Sequence, residues 1–425
     1  KMETWQWQTL EKNEKRQKRE LYEIIKYSVN HIPYYNKIVR ENNIQYSKES
    51  IFKDIKRFPI LKKELIRQNF SNLVNSNLKC RYRKESSGGT TGEPIELLLD
   101  ERNDHYRDAF TYLVHKWAKR GKVLVQLWGS EKDIFNTKKQ DSIRGIIEVN
   151  ENHYILNSFR MSQTDMINYI NFINKIKPGM ILAYVHSIFE LTNFINTRKI
   201  EIHSPNAIIT SAGTLFEKQR KAIQKTFSCP VFNFYGSREA PAIACECEKH
   251  EGLHLNIFNY YFEVLDDNGD EIRKEEEKGG IYITTLHNKV MPLIRYKIGD
   301  IVTFTNKTCT CGRGLPLIKH VNGRIVDIFR NENNELIDGE YFTHLFYFKS
   351  FLKQFQVIQK DLNFILVRIV PNNNENIFDK YRDEIFDIEK KIKLIMGENC
   401  SLEWKIEKEI LPSLSGKFRY TISEI

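Results

Sequence analysis

Up to about Lys79 the apolar residues recur at helical spacing. Leu21, Ile24, Ile25 and Val29 share one helix face, and His31-Ile32-Pro33 ends that segment. From Lys122 the rhythm changes. Apolar runs at Val123–Leu127, Met180–Tyr184, Ala207–Thr210 and Val231–Tyr235 read as buried strands. Helical stretches at Asp165–Ile176, Ile188–Thr197 and Phe216–Phe227 separate them, which predicts βαβ units and a parallel sheet. After Gly252, Leu253–Ile257, Tyr260–Leu265 and Ile281–Leu286 read as strands, with a hairpin turn at Asp267-Asn268-Gly269. That part is expected to be antiparallel or barrel-like. Beyond about Asp327, Phe378, Tyr381, Ile385, Ile388, Ile392 and Ile395 step by threes and fours as in an amphipathic helix. Strand-like Phe355–Ile358, Phe364–Val370 and Leu402–Ile406 accompany it, so a small α+β unit closes the chain.

With 425 residues, two or three domains are expected. A hydrophobic content of 41% excludes wholesale disorder. No apolar run reaches the roughly 18 residues of a membrane span, and residues 1–8 lack a leader pattern, so the expectation is a cytoplasmic protein. The net charge of +10 invites a nucleic-acid reading. However, the lysines are diluted among acids, as in Glu11–Glu20 and Arg273–Lys278, where a nucleic-acid binder concentrates them on one face. No nucleic-acid partner is expected, and the number of subunits, a homodimer included, is left open.

Two groups of residues suggest chemistry on their own. Ser86-Ser87-Gly88-Gly89-Thr90-Thr91-Gly92 packs hydroxyls and glycines into one loop. Its backbone amides could turn inward as an anion nest suited to phosphate, although the same composition fits a plain flexible loop. Cys245, Cys247, His250 and His254 cluster, and Cys309-x-Cys311 follows downstream. These six donors exceed the four that tetrahedral zinc needs, while reduced thiols or a redox pair remain the alternative. Cys80, Cys229 and Cys400 are isolated and read as packed thiols.

Behind the Ser87–Gly92 loop come three more segments: Tyr235-Gly236-Ser237-Arg238-Glu239, then Pro292 to Asp300 (PLIRYKIGD), then Gly323-Arg324-Ile325-Val326-Asp327. Taken in order, they resemble the core motifs of adenylate-forming enzymes. With Tyr34-Tyr35, Phe58–Lys63 and Cys309–Arg313 the likeness is closest to the phenylacetate-CoA ligase and CapK branch, over nearly the whole chain.

The resemblance implies an α/β fold with a large N-terminal domain, residues 1–326, made of a parallel βαβ sheet and a β-rich part that carries the zinc candidates within 245–320. A small mobile α+β C-terminal domain, residues 327–425, would be hinged at Asp327. The implied activity is ATP-driven activation of a small carboxylic acid to acyl-AMP, then transfer to a thiol, with coenzyme A preferred. An amine acceptor such as an amino sugar is the second choice, because CapK-like relatives are tied to polysaccharide assembly. A non-catalytic nucleotide-binding relative is the third.

Carried over residue by residue, Ser87, Gly88, Gly89, Thr90, Thr91 and Gly92 would hold the ATP phosphates. Ser211, Ala212, Gly213, Tyr235 and Gly236 would border adenine, with Ser237 near the α-phosphate. Glu239 would bind Mg²⁺, Asp300 would accept the ribose hydroxyls with help from Arg324, and Lys417 would be the catalytic lysine of the C-terminal domain. Carboxylates suit hard cations and hydroxyl donors, and arginine suits phosphate or ribose oxygens. Ile95 departs from the pattern, since many relatives carry a lysine there. Trp128, Tyr184, His186, Ala240 and Pro241 would wall the acyl pocket, though core packing explains them equally well. Some relatives with this cysteine arrangement hold a structural zinc. The set chosen here is Cys247, His254, Cys309 and Cys311, with Cys245 and His250 in reserve.

Overall fold

The computed structural model describes residues 1–86, 95–128, 146–158, 161, 163–324, 328–332, 336–346, 349, 351–372, 377–410 and 421–425. The chain begins with helices. Leu10–His31 buries Leu21, Ile24, Ile25 and Val29, and Thr9 caps it by accepting the Lys12 N–H. Pro33 ends it and starts the next helix, Pro33–Glu41, because a first-turn residue needs no amide hydrogen.

A hairpin follows, β1 (Tyr82–Ser86) against β2 (Glu96–Asp100), with Ser86 opposite Glu96. The Ser87–Gly92 loop joins these two strands and lies outside the described residues. Asp100 then caps the helix Glu101–Trp117 by accepting the Asn103 N–H.

The remaining strands of the large domain form one twelve-stranded sheet. In chain order they are β3 (Leu124–Trp128), β4 (Ile146–Asn150), β5 (His153–Asn157), β6 (Met180–Tyr184), β7 (Ala207–Ser211) and β8 (Val231–Tyr235), then β9 (Ala244–Glu246), β10 (Leu253–Leu255), β11 (Tyr260–Leu265), β12 (Lys278–Thr285), β13 (Tyr296–Phe304) and β14 (Leu317–Arg324). The spatial order is β11-β12-β13-β14-β10-β9-β8-β7-β6-β3-β5-β4. The run β5-β3-β6-β7-β8 is parallel.

Helices Gln163–Ile176, Val185–Arg198 and Glu217–Phe227 supply the crossovers that parallel pairing requires. Side chains alternate between the two faces of each strand. Met180, Ala207, Ile209 and Phe232 therefore join one core, while Ile181, Ala183, Ile208 and Val231 join the other. Burial on both faces explains why these strands read as unbroken apolar runs.

The strands after Gly252 do not close a barrel. β9 pairs antiparallel with β8, and the antiparallel strands continue the same sheet outward. The turn at Asp267-Asn268-Gly269 is tight, with Leu265 bridged to Glu271, but the β11–β12 ladder begins only at Gly280.

The small domain starts with the hairpin β15 (Ile328–Arg330) and β16 (Leu336–Asp338). Its main sheet has the order β19-β18-β17-β20, from β17 (Leu352–Asp361), β18 (Phe364–Pro371), β19 (Ser401–Ile406) and β20 (Thr421–Ser423). The helix Arg382–Met396 packs Ile385, Ile388, Ile392 and Met396 onto it. Phe378 belongs to a separate turn, Ile377–Lys380, and Tyr381 stands at the N-cap of the longer helix, so the amphipathic pattern spans two helical pieces. Lys391 of that helix reaches across to Glu190 of the large domain, Nζ to Oε1 3.2 Å.

Candidate active site and metal centre

Four parallel neighbours, β3, β6, β7 and β8, end in Trp128, Tyr184, Ser211 and Tyr235. In open α/β sheets ligands gather outside these carboxyl ends. The predicted adenine and acyl residues thus share one edge of the sheet, with Tyr184 in register with Ser211. The Trp128 and Tyr184 rings lie 4.2 Å apart, centroid to centroid. Ala212 turns the chain out of β7 at φ 53°, and Gly213 sits against Val185, where a Cβ would find the valine Cβ at 3.5 Å. After β8 the chain doubles back tightly. A Cβ on Gly236 would stand 2.8 Å from the Ala242 nitrogen, and Ser237 Oγ accepts the Ala240 N–H at 3.1 Å. Ala240 is fully buried, and the Pro241 carbonyl accepts the Tyr260 hydroxyl at 2.9 Å. His186 lies in the first turn of Val185–Arg198, and its side chain is outside the described set, as is that of Arg324.

The second half of the site comes from β13. Asp300 stands opposite Arg324 of β14 in the ladder. The Tyr235 hydroxyl donates to Asp300 Oδ2 at 2.6 Å, so two motif residues 65 positions apart meet directly. Glu239 is 4% exposed, and Lys63 Nζ lies 2.8 Å from its Oε1. The Tyr296 hydroxyl approaches the same oxygen at 3.5 Å.

Lys63 belongs to the Phe58–Lys63 segment, noted in the sequence only as part of a likeness. Its placement comes from backbone pairing: Leu61 N–H donates to the Arg295 carbonyl and Lys297 N–H to the Leu61 carbonyl. Arg295 adds Nη1 bonds to the Lys56 and Phe58 carbonyls, and its guanidinium is buried against Glu263. Burial pushes the Glu263 carboxyl up, opposed by Arg295. Tyr35 accepts the Ile294 N–H and donates to the Pro292 carbonyl, which ties down the turn before β13. The branch motifs Tyr35 and Phe58–Lys63 therefore brace the site from the N-terminal helices.

Cys247, His254, Cys309 and Cys311 come together, their ligand atoms all within 4.8 Å of one another. Cys247 Sγ is 3.6 Å from Cys309 Sγ, and Cys311 Sγ is 3.4 Å from His254 Nε2. The Lys249 and Arg313 amides donate to Cys247 and Cys311. His254 is fully buried, and its Nδ1 faces the Leu315 carbonyl at 3.4 Å, which leaves Nε2 toward the sulfurs. Burial raises the Cys247 thiol to about 11 and raises Cys309 as well. At Cys311 burial also pushes upward, but the bonds from His254 and Arg313 outweigh it and bring the thiol down to about 6. Three sulfurs and one imidazole nitrogen suit tetrahedral zinc and leave no open position. The reserves sit elsewhere: His250 pairs with Glu246, which also binds Arg220 bidentately, and Cys245 is buried outside the group. Lys417 and Asp327 lie outside the described residues, as do Ser87 to Gly92.

Residues 329–424 match the CapK C-terminal domain family. The chain is 25% identical to Protein CapK of Staphylococcus aureus over 96% of its length and 89% of that protein. It is 24% identical to a phenylacetate-coenzyme A ligase of Thermus thermophilus, over 73% of this chain and 70% of that one. Among solved structures, a 2-hydroxyisobutyryl-CoA ligase in complex with 2-HIB-AMP superposes with a TM-score of 0.64 at 15% identity, covering 96% of this chain and 89% of that one.

Proposed function

We propose that the chain is a member of the adenylate-forming superfamily, in its CapK and phenylacetate-CoA ligase branch, and that it condenses a carboxylic acid with ATP to acyl-AMP and pyrophosphate, then passes the acyl group to coenzyme A. The observation that carries this reading is the meeting of the Tyr235-to-Glu239 turn with Asp300 at the carboxyl edge of the sheet. Asp300, held by the Tyr235 hydroxyl, is preset to accept two ribose hydroxyls. Glu239 is the buried carboxylate at hand for Mg²⁺, which when bound neutralises the phosphates. Lys63, at 2.8 Å, is a cation able to take the place left by Ile95.

Lys417 would bring its charge beside the α-phosphate from the small domain. Lys417→Ala is expected to cut acyl-AMP formation by about 100-fold while sparing acyl transfer from supplied acyl-AMP. The role of Asp327 as the hinge, and those of Ser87 to Gly92, rest on the same resemblance. Cys247, His254, Cys309 and Cys311 would hold one structural zinc.

The deciding experiment is pyrophosphate exchange across aryl, short-chain, amino and hydroxy acids, with Glu239→Ala as control. Exchange with one acid class, lost in the variant, supports the reading. No exchange with any acid overturns it in favour of a non-catalytic nucleotide binder. An amine acceptor is the second reading, favoured because the match over the small domain is to CapK. Offering coenzyme A and amino sugars to the preformed acyl-AMP separates the two.

A further inference from the structure

The surroundings of the cysteine group lead back to the start of the chain. Arg313, two residues after Cys311, is buried, and its amide donates to the Cys311 sulfur. Its guanidinium lies between the rings of Trp7 and Trp117, 4.7 Å from each centroid. It also grips both oxygens of Glu248, the neighbour of Cys247, at 3.0 Å. Its Nε donates to Gln6 Oε1 at 3.0 Å, and that same oxygen accepts the Trp117 indole N–H at 2.9 Å. Trp117 in turn meets the His254 ring in an edge-to-face contact, centroids 5.7 Å apart.

The backbone closes the same connection. Gly314 N–H donates to the Gln6 carbonyl, and a Cβ on Gly314 would overlap the Gln8 carbonyl oxygen at 1.8 Å. Asn13 Nδ2 bonds the Gly314 and Trp5 carbonyls. Cys311 touches a single arginine held by Gln6 and Trp7, and Cys247 through Glu248 and His254 through Trp117 are each one residue removed from it.

We propose that Arg313 is a positioning residue of the zinc centre, and that zinc binding and docking of residues 2–9 stabilise each other. This rests on the zinc reading above. A cation orders the loop at residues 309–313, and that loop presents the surface on which Trp5-Gln6-Trp7 lies. Coupling of this kind is reciprocal, so loosening the N-terminal segment must weaken zinc. Groups that only orient ligands commonly alter metal affinity by about 10–100-fold.

The test measures zinc affinity of the full chain by competition with a chromophoric chelator, and hydrogen exchange of residues 2–9 with and without zinc. Arg313→Lys keeps the charge but loses the fork, and should lose about 10–100-fold in zinc affinity. Gln6→Ala touches neither metal nor ligand and should weaken zinc in the same direction. Trp7→Ala, at a side chain 54% exposed, does the same with little risk to folding. Removing zinc should speed exchange at residues 2–9 while the parallel strands stay protected. Unchanged zinc affinity in Gln6→Ala and Trp7→Ala, or equal exchange in both forms, overturns the coupling and leaves the zinc reading standing. A wild-type chain that binds no zinc overturns both.

Discussion

Asp300 accepts the Tyr235 hydroxyl, and that bond and the proposed ribose contact can be tested separately. The ribose contact predicted for it is lost in Asp300→Ala, which should weaken ATP binding by about 1.5–3 kcal/mol, the range of a hydrogen bond to a charged group. Tyr235→Phe keeps the ring and removes the 2.6 Å bond that orients the carboxylate. ATP affinity, read by titration calorimetry, should then fall by a smaller amount, about 1 kcal/mol.

Glu20 behaves differently because it stands on the helix Leu10–His31 with its carboxylate largely buried, His287 Nε2 3.8 Å away. Burial lifts its pKa from 4.5 to about 7, against the pull of Arg16, Arg19 and Arg102. The folded chain thus keeps this proton to a higher pH than the unfolded chain. Its contribution to stability is fully present below pH 4.5 and is lost as pH rises through about 7. Glu20→Gln should remove that slope and raise stability at pH 8 by up to about 3 kcal/mol. Denaturant midpoints for both chains at pH 5 and pH 8 check this, and an equal shift at the two values would contradict it.

Short segments reach the site through backbone pairing with stronger elements. The Phe58–Lys63 stretch has one bridge, Leu61 to Tyr296, yet it delivers Lys63 to Glu239. Arg295 makes that possible by binding the Lys56 and Phe58 carbonyls while paired with Glu263. Truncating one partner of a buried pair leaves the other charge stranded. Glu263→Ala should therefore destabilise the chain by about 3–5 kcal/mol. Adenylation should fall further than the loss of folded protein explains, because Lys63 loses its support. Comparing pyrophosphate exchange per folded molecule with Lys63→Ala tests the connection.

Across the whole molecule, the two domains meet where Lys391 bridges Glu190 and Asp387. Glu190 lies on the helix that leaves the carboxyl edge of the parallel strands directly after Tyr184, so the contact links small-domain placement to that edge. Lys391→Glu should turn this attraction into repulsion and raise the rate of proteolytic cleavage between the domains. Adding Glu190→Lys should restore the wild-type rate. Failure of the double variant to recover would show that the pair does not hold the domains in this arrangement.

Local pattern alone determined much of this protein. The strands at Met180–Tyr184, Ala207–Ser211 and Val231–Tyr235 were legible because burial on both faces demands unbroken apolar runs. Residues 296–304 were read as a motif and not as a strand, because Lys297, Gly299 and Asp300 interrupt any such run. Spacing also brought six metal donors into view, and the family resemblance picked Cys247, His254, Cys309 and Cys311 among them, the same four whose ligand atoms come together in the fold. The physical reason for that choice lies in the fold, since Glu246 and Arg220 draw His250 away while β10 places His254 beside the cysteines. The Tyr235–Asp300 and Lys63–Glu239 contacts join residues 65 and 176 positions apart. No period or motif encodes such a meeting. It follows from the order of strands in the sheet and from where Arg295 ties the N-terminal segment down.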